Sequence, residues 1–593
     1  SIKAEDFIVE ILRFVYNVEK ILRQKGAQQM KPVISIGNQN FKSIREKRAF
    51  YVDKTFFIRD WWEKEDVVTL ITRPRRFGKT LNMSMVEQFF SIEYAGRGDL
   101  FAGLSIWENE KYKKLQGTWP VLFLSFADIK STTYEMARMA VIRKLVRLYS
   151  EHEFLRDCGC LNDRDREYFD SVREDMSDDV AAVALNYLSD YMSRYYGKKV
   201  LILLDEYDTP LQEAYVCGYW EALTGFIRSL FNSTFKTNPY LERGLLTGIT
   251  RISKESIFSD LNNLEVVTTI SCKYETAYGF TKEEVEKGLE QFGMEQNKAK
   301  VARWYDGFRF GDQKDIYNPW SITKYLDAGK LDSYWSNTSS NLLVGKLIRE
   351  GNADLKTDME RLLKGESIRT RLDEEIVFDQ LEQSNRAIWS LLLASGYLKV
   401  GRMPKEGEDE PYEVSLTNYE VQRMFRRLIQ DWFAAPQVRY HEFVQALLSD
   451  DVGYMNQYMN QMATELFSSF DTGKAPSEKG QPERFYHGFV LGLIADAQIP
   501  YEVTSNRESG LGRYDVMLRP KQKGDKAYVL EFKVINPYKE KSLEEAVQSA
   551  LKQIQEKNYD AQLKAAGIPA DRIRHYGFAF NGKRVLIDGG QGK

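Results

Sequence analysis

Four apolar runs, Val67 to Thr72, Val121 to Phe126, Val200 to Leu204 and Leu245 to Thr250, alternate with helical stretches through the first part of the chain. Such runs read as strands, and strands separated by helices predict a parallel α/β sheet with crossover connections. A long charged span with helical character, Tyr134 to Tyr196, lies between the second and third runs and is expected to supply crossover helices and an insertion. From Thr281 the pattern turns to helices parted by short turns, with Asn318-Pro319 opening a helix at Trp320. Between Asn385 and Trp432 a helix (AIWSLLLASG), a strand (YLKV), a polar loop (GRMPKEGEDEP), a strand (YEVSL) and a helix (VQRMFRRLIQDWF) follow in the order of a winged-helix unit. The wing loop is acidic, which argues against DNA reading and for a lid or spacer. The segment SSFDTGKAPSEKGQ is almost free of apolar residues and marks the major boundary. Beyond it the chain reads helix, three strands, helix, strand.

These patterns predict a multidomain α/β protein: an N-terminal extension (1–30), a parallel-sheet domain (31–280), a helical lid with a winged-helix-like region (281–467), a linker (468–481) and a C-terminal α/β domain (482–593). In the extension, Ile8 to Leu22 is helical in pattern; whether it is native is left open, since Met30 directly precedes the first recognisable block.

Composition narrows the classes. A chain of 593 residues with 43% hydrophobic and 28% charged residues is ordinary globular protein with room for several cores. The four cysteines, Cys158, Cys160, Cys217 and Cys272, make no CxxC pair and no disulfide framework, so reduced thiols in a cytoplasmic protein are expected. No apolar run approaches the roughly 18 residues of a membrane helix. A formal net charge of −3 gives no global basic field, so a nucleic-acid partner would have to meet a local patch.

The first candidate chemistry lies at Val67 to Thr80, followed by LNMSMVEQFF: a buried strand, a tight loop, and a helix opening at Gly78-Lys79-Thr80. This is the layout of a phosphate-binding loop, in which backbone N–H groups and the helix N-terminus cradle phosphates, Lys79 reaches the β/γ-phosphates and Thr80 binds Mg²⁺. Arg73 stands where the motif asks for its first Gly, and Arg75 and Arg76 are candidates for added phosphate contacts. Downstream, LILLDEYD places Asp205 and Glu206 at the C-terminal end of an apolar strand, where open α/β sheets bind ligands. Asp205 would hold the Mg²⁺ through its water shell, sharing it with Thr80 from an adjacent strand end, and Glu206 would orient or deprotonate the attacking water. Thr250 and Arg251, ending the next strand, stand where a polar residue sensing the γ-phosphate is expected, and a solvated surface position accounts for Arg251 equally well. The expected ATP-binding set is therefore Arg73, Arg75, Arg76, Phe77, Gly78, Lys79, Thr80, Asp205, Thr250 and Arg251.

The blocks KPVISIGNQNFKSIREKRAFYVDKT, RPRRFGKT, LLLDEYDTP, LLTGITRIS, SDLNNLEV, YGFTKEEV and WYDGFRFG with YNPWSI resemble the bacterial AAA-ATPase-like family over Lys31 to Ile322. The resemblance implies an ATP-binding P-loop fold, makes Arg73 part of the family's RPRRFGKT block, and in many members a PD-(D/E)XK nuclease domain follows.

The second candidate site lies in that C-terminal region. In YVLEFKV, residues two apart point to one face of a strand, so Glu531 and Lys533 emerge together while Phe532 faces the core. The hairpin from GRYDVML can bring Asp515 opposite them. Two carboxylates bind Mg²⁺, or Mn²⁺ as an alternative, and Lys533 positions the nucleophilic water or stabilises the phosphorane. The order Glu483, Asp515, Glu531-x-Lys533 and then a helix carrying Gln548 and Gln553 resembles the PD-(D/E)XK nuclease core, which implies that Glu483 assists the metal and Gln553 the metal water or the backbone of DNA. His487 is left out of the metal set. Arg507, Arg513, Lys539, Lys541, Lys552 and Lys557 offer local cations for a phosphate backbone, and a solvated surface explains most of them equally well.

The sequence thus points to an ATP-binding and ATP-hydrolysing protein with metal-dependent nuclease activity, preferably on DNA. The alternative is a nucleotide-dependent switch or signalling protein whose C-terminal domain binds nucleic acid or protein without cutting. A homo-oligomer is left open.

Overall fold

The computed structural model describes residues 32–251, 257–258, 261–336, 342–350, 353–373, 381, 384–402, 410–433, 440–466, 490, 494, 500–505, 508–509, 512–522, 524–535, 542–581 and 584–591. The N-terminal extension, the expected linker, Glu483, His487, Arg507, Lys539 and Lys541 lie outside the described residues.

The described chain forms two compact units, one of Ser1–Leu347 with Gly365–Arg423 and one of Ile348–Lys364 with Met424–Lys593. The first is built on a parallel five-stranded sheet of β1 (Val68–Thr72), β2 (Val121–Ser125), β3 (Val200–Asp205), β4 (Leu241–Gly248) and β5 (Leu264–Val267), in the order β2-β3-β4-β1-β5. The apolar runs became strands because both faces are covered: every residue of β1 and β3 is buried. β5, with its Glu265, was not legible as a run. One face packs against the helix Lys79–Phe90 and the aromatic residues Phe57, Trp61, Phe89, Phe90 and Phe101.

The charged span after β2 is helical as expected, with long helices at Tyr134–Glu151 and Asp178–Tyr196. Between them the expected reduced thiols give way to a bond joining Cys158 and Cys160. Gly159, at φ +78°, turns the chain back on itself and brings the two Cα atoms to 5.5 Å, a span that a disulfide bridges, which a reading of CxxC spacing overlooks. Cys217 and Cys272 are free thiols.

Next in the first unit come a small hairpin, β6 (Phe308–Phe310) with β7 (Gln313–Ile316), and the helix Pro319–Ala328, capped by Asn318 with Pro319 in its first turn as the sequence predicts. The helix Asn385–Ala394, β9 (Leu398–Arg402) and β10 (Tyr412–Leu416) follow, and the first unit closes at Arg423 within the helix Tyr419–Phe433; β8 (Ile368–Thr370) adds a third antiparallel strand in the order β8-β10-β9.

The second unit carries a mixed sheet of β11 (Tyr501–Ser505), β14 (Val516–Pro520), β15 (Ala527–Val534), β16 (Ile573–Asn581) and β17 (Arg584–Gln591), in that order, with the short pair β12 (Glu508–Ser509) and β13 (Gly512–Arg513) beside it. β15 and β16 are parallel, joined through the helix Leu543–Glu556. The helices Tyr440–Ser449 and Val452–Leu466, expected in the middle region, belong to this unit: Phe443, Leu447, Met455 and Met459 share one core with Tyr528, Leu530, Phe532 and Phe578. Their apolar faces need the sheet to cover them, and the scarcity of apolar residues at 468–481 carried no information about that packing.

Candidate functional sites at the P-loop and on the C-terminal sheet

β1 leads into Arg73 to Gly78, and two left-handed residues, Arg76 (φ +65°) and Gly78 (φ +85°), shape the loop before the helix that starts at Lys79. Gly78 meets that geometry without steric cost. Lys79 is buried, and its ammonium donates to the carbonyls of Arg73 and Pro74, at 3.1 Å each, and pairs with Glu206 Oε1 at 3.3 Å. Glu206 itself is a non-glycine residue at φ +52°, a conformation that costs about 1 kcal/mol and that turns its carboxylate from the end of β3 toward Lys79.

The Thr80 hydroxyl donates to Asp205 Oδ2 at 2.7 Å, so the two expected Mg²⁺ partners touch. They do not come from adjacent strands: β4 lies between β1 and β3, and its Thr247 donates to the other oxygen, Asp205 Oδ1, at 2.6 Å. Burial, and then the charge of Glu206, push the Asp205 carboxyl above its ordinary range. A hydroxyl and a carboxylate side by side at a helix N-terminus form an all-oxygen donor set of the kind a hard divalent cation takes.

The other arginines are spent differently from expectation. Arg73 is wholly buried; Nη1 donates to the carbonyls of Thr72 (2.9 Å) and Thr268 (2.7 Å), and the guanidinium lies 4.5 Å from the centre of the Phe310 ring. It braces the loop against β6 and does not face a phosphate, because the carbonyls at the ends of β1 and β5 need its donors. Desolvation lowers its pKa to about 10, still well above neutrality. Arg76 stacks over Trp320 at 4.3 Å. Phe77 is buried edge-on against Phe308 and Phe310, at 4.7 and 5.3 Å, so its side chain anchors the loop. Asn318 Nδ2 and Trp335 Nε1 both donate to the Arg75 carbonyl, at 3.3 and 3.0 Å. Thr250 is buried with its hydroxyl donated to Asp208, and Arg251 lines a small hollow with Thr72 and Thr268.

On the C-terminal sheet, alternation builds the second site. Tyr528, Leu530 and Phe532 point into one core, where Phe532 packs on Phe578 at 4.9 Å. Ala527 and Val529 point the other way, under Ile554 and Tyr559. Glu531 and Lys533 continue that second face, with Lys533 Nζ 3.7 Å from Glu531 Oε1. The antiparallel register Val516↔Leu530 sets Asp515 opposite Glu531, and Asp515 Oδ2 accepts the Phe532 N–H at 2.8 Å. Glu531 is 2% exposed; Gln553 Nε2 donates to its Oε1 and to the Tyr559 hydroxyl. Two carboxylates on neighbouring strands, one buried, beside a lysine are again an oxygen donor set suited to Mg²⁺ or Mn²⁺. Gln548, Lys552 and Lys557 are exposed.

Residues 35–258 match the family model described as Predicted AAA-ATPase, and residues 481–589 match the PD-(D/E)XK nuclease superfamily. The chain carries an AAA-ATPase-like domain and a PD-(D/E)XK domain. A relative from Azotobacter chroococcum mcd 1, an uncharacterized protein in the vnfD 5' region, is 23% identical over 553 residues, 90% of this chain and 94% of that one. A solved structure, the Aeropyrum pernix ORC2 protein in ADPNP-ADP complexes, covers 67% of this chain and 95% of its own at 10% identity and a TM-score of 0.22, too low to carry an argument.

In the AAA-ATPase-like domain the fold brings together Lys79, Thr80, Asp205 and Glu206 and adds Thr247 and Asp208, which sequence reading passed over; beyond the matched residues 35–258, Asn318, read only as a helix opener, and Trp335 hold the Arg75 carbonyl. Thr247 sat unremarked inside LLTGIT; a polar residue near the end of a buried strand was the available signal. In the PD-(D/E)XK domain Asp515, Glu531, Lys533 and Gln553 converge, and Tyr559 joins through Gln553 with no signal in the sequence. No helix among the described residues is long and apolar enough to cross a membrane.

Proposed function

We propose that the protein binds and hydrolyses ATP with Mg²⁺ at Lys79, Thr80, Asp205 and Glu206, and cleaves nucleic acid, DNA in preference, at Asp515, Glu531 and Lys533. The observation that carries the nuclease reading is the buried Glu531 set opposite Asp515 with Lys533 on the same strand face. Withdrawing a carboxylate from water within an apolar strand is costly, and carboxylates held at that cost cluster at functional sites. A divalent ion held by Asp515 and Glu531 would activate water and neutralise charge on the scissile phosphate. Lys533 then stands beside the developing negative charge, Gln553 fixes the orientation of Glu531, and the Phe532 N–H fixes that of Asp515.

At the first site Thr80 and Asp205 would hold Mg²⁺, which would supply positive charge to offset that of the bound phosphates. Lys79 and Glu206 are paired with each other; once Lys79 turns to phosphate, Glu206 is released to accept a proton from water.

The test is incubation of purified protein with labelled DNA and RNA, with and without Mg²⁺, Mn²⁺ and ATP. Divalent-dependent cutting of DNA, lost in Asp515→Ala and Glu531→Ala, is the expected result. Variants that cut as fast as wild type, or wild type that binds nucleic acid without cutting it under every condition, overturn the nuclease reading in favour of a nucleotide-dependent switch.

A further inference from the structure

Asp208 follows the Asp205-Glu206 pair and has been given no step in the chemistry proposed above, yet it is fully buried. Its Oδ2 accepts from the N–H groups of Ile249 (3.0 Å) and Thr250 (2.9 Å), the Thr250 hydroxyl (2.8 Å) and the Gln212 amide (2.9 Å). Among the described residues its Oδ1 has no hydrogen-bond donor, and it lies against Gly248, where a Cβ would come within 2.7 Å of it. A buried carboxylate with one oxygen carrying four donors fixes whatever those donors belong to.

Gln212 carries that fixation onward, since its Oε1 accepts from Arg75 Nη2 at 3.3 Å. Asp208 can only accept and Arg75 can only donate, so a side chain linking them must donate at one end and accept at the other, as an amide does. Gln212 sits one helical turn beyond Asp208 on Thr209–Cys217, on the same face. The main chain of Arg75 is already clamped through its carbonyl by Asn318 and Trp335. Both ends of Arg75 are therefore held, the backbone by the lid and the guanidinium by Gln212.

We propose that Asp208 and Gln212 are positioning residues for ATP hydrolysis: through the Gln212 amide the buried carboxylate aims the Arg75 guanidinium as a cation supplied in cis to the transferred phosphoryl group, while through Thr250 it fixes the end of β4. This rests on the ATPase reading given above. A guanidinium held in place before reaction stabilises the charge that develops on the phosphoryl oxygens, and one that must be ordered during the reaction stabilises it less.

The experiment compares wild type, Gln212→Ala, Gln212→Met, Arg75→Ala and Gln212→Ala with Arg75→Ala, reading phosphate release and the affinity for ADP and for a non-hydrolysable ATP analogue. Both Gln212 variants should lose on the order of 10- to 100-fold in kcat, with Gln212→Met preserving the packed volume. Their nucleotide affinities should stay within about twofold of wild type, which separates positioning from binding. The double variant should be no slower than Arg75→Ala alone, because Gln212 acts through Arg75. Wild-type kcat in the Gln212 variants, losses that add in the double variant, or a fall confined to affinity each overturn the proposal. If wild-type turnover is abolished by Lys79→Ala while those results hold, the ATPase reading survives and this inference alone falls; if wild type turns over no ATP, both fall.

Discussion

Lys79 and Glu206 are paired at 3.3 Å, and their removal should separate binding from chemistry. Lys79→Ala removes the proposed phosphate contact and should abolish nucleotide binding or turnover. Glu206→Gln keeps the volume and loses the base, so nucleotide affinity should persist while phosphate release falls on the order of 10²–10⁴-fold; equal phosphate release in wild type and Glu206→Gln would remove Glu206 from that role. On the C-terminal sheet Lys533 is a cation beside the carboxylates proposed to hold the metal, so Lys533→Ala should lower the cleavage rate on the order of 10²–10³-fold with little change in the Mg²⁺ concentration needed for half-maximal rate. Asp515→Ala should do the opposite in kind and abolish cutting through lost ligation. A Lys533→Ala protein that recovers full rate at high Mg²⁺ would recast Lys533 as part of metal binding.

At the scale of elements, the segment from Ser321 to Ser336 is tied to the P-loop through a buried acid. Glu420, on the helix Tyr419–Phe433, accepts from the Ser321 hydroxyl (2.8 Å), the Trp335 N–H (2.6 Å) and the Ser336 N–H (3.3 Å), and Trp335 in turn donates to the Arg75 carbonyl. Burial outweighs those donors and pushes the Glu420 carboxyl up to about 7 from the ordinary 4.5. The folded state therefore holds the proton more tightly than the unfolded chain, so this stabilisation is full below about pH 4.5 and is lost as pH rises through about 7. Glu420→Gln does not titrate. Its stability relative to wild type should rise between pH 4.5 and pH 8, by an amount on the order of 2–3 kcal/mol for a shift of this size. Melting curves at the two pH values check it; a pH-independent difference between the two proteins would show that Glu420 is not the titrating group.

For the whole molecule, the two sites have separate donor sets on separate sheets, so their chemistries should separate as well. Chelation of divalent ions should stop both ATP turnover and cleavage, with Mg²⁺ restoring both, whereas Lys79→Ala should leave ATP-independent cleavage at the wild-type rate; loss of that cleavage would mean that the P-loop takes part in the nuclease chemistry. How much of this was legible in the sequence follows from the range of the forces involved. Strand and loop identity are local: a buried apolar run, a Gly-Lys-Thr at a helix start, acids at a strand end and an alternating Glu-x-Lys each announce themselves within a few residues, and Lys79, Thr80, Asp205, Glu206, Glu531 and Lys533 were singled out in that way. What a side chain faces is decided by elements far away in the chain. Arg73 looked like a phosphate ligand until β5 and β6 placed carbonyls and a ring around it; Thr247 became a partner of Asp205 only because β4 sits between β1 and β3; and Cys158 met Cys160 because Gly159 turns the chain back. The sequence by itself determined which elements form and which residues are chemically able to act. The tertiary structure alone decided which donors and acceptors are buried against one another, because desolvation and hydrogen-bond satisfaction depend on packing between elements and leave no periodic trace along the chain.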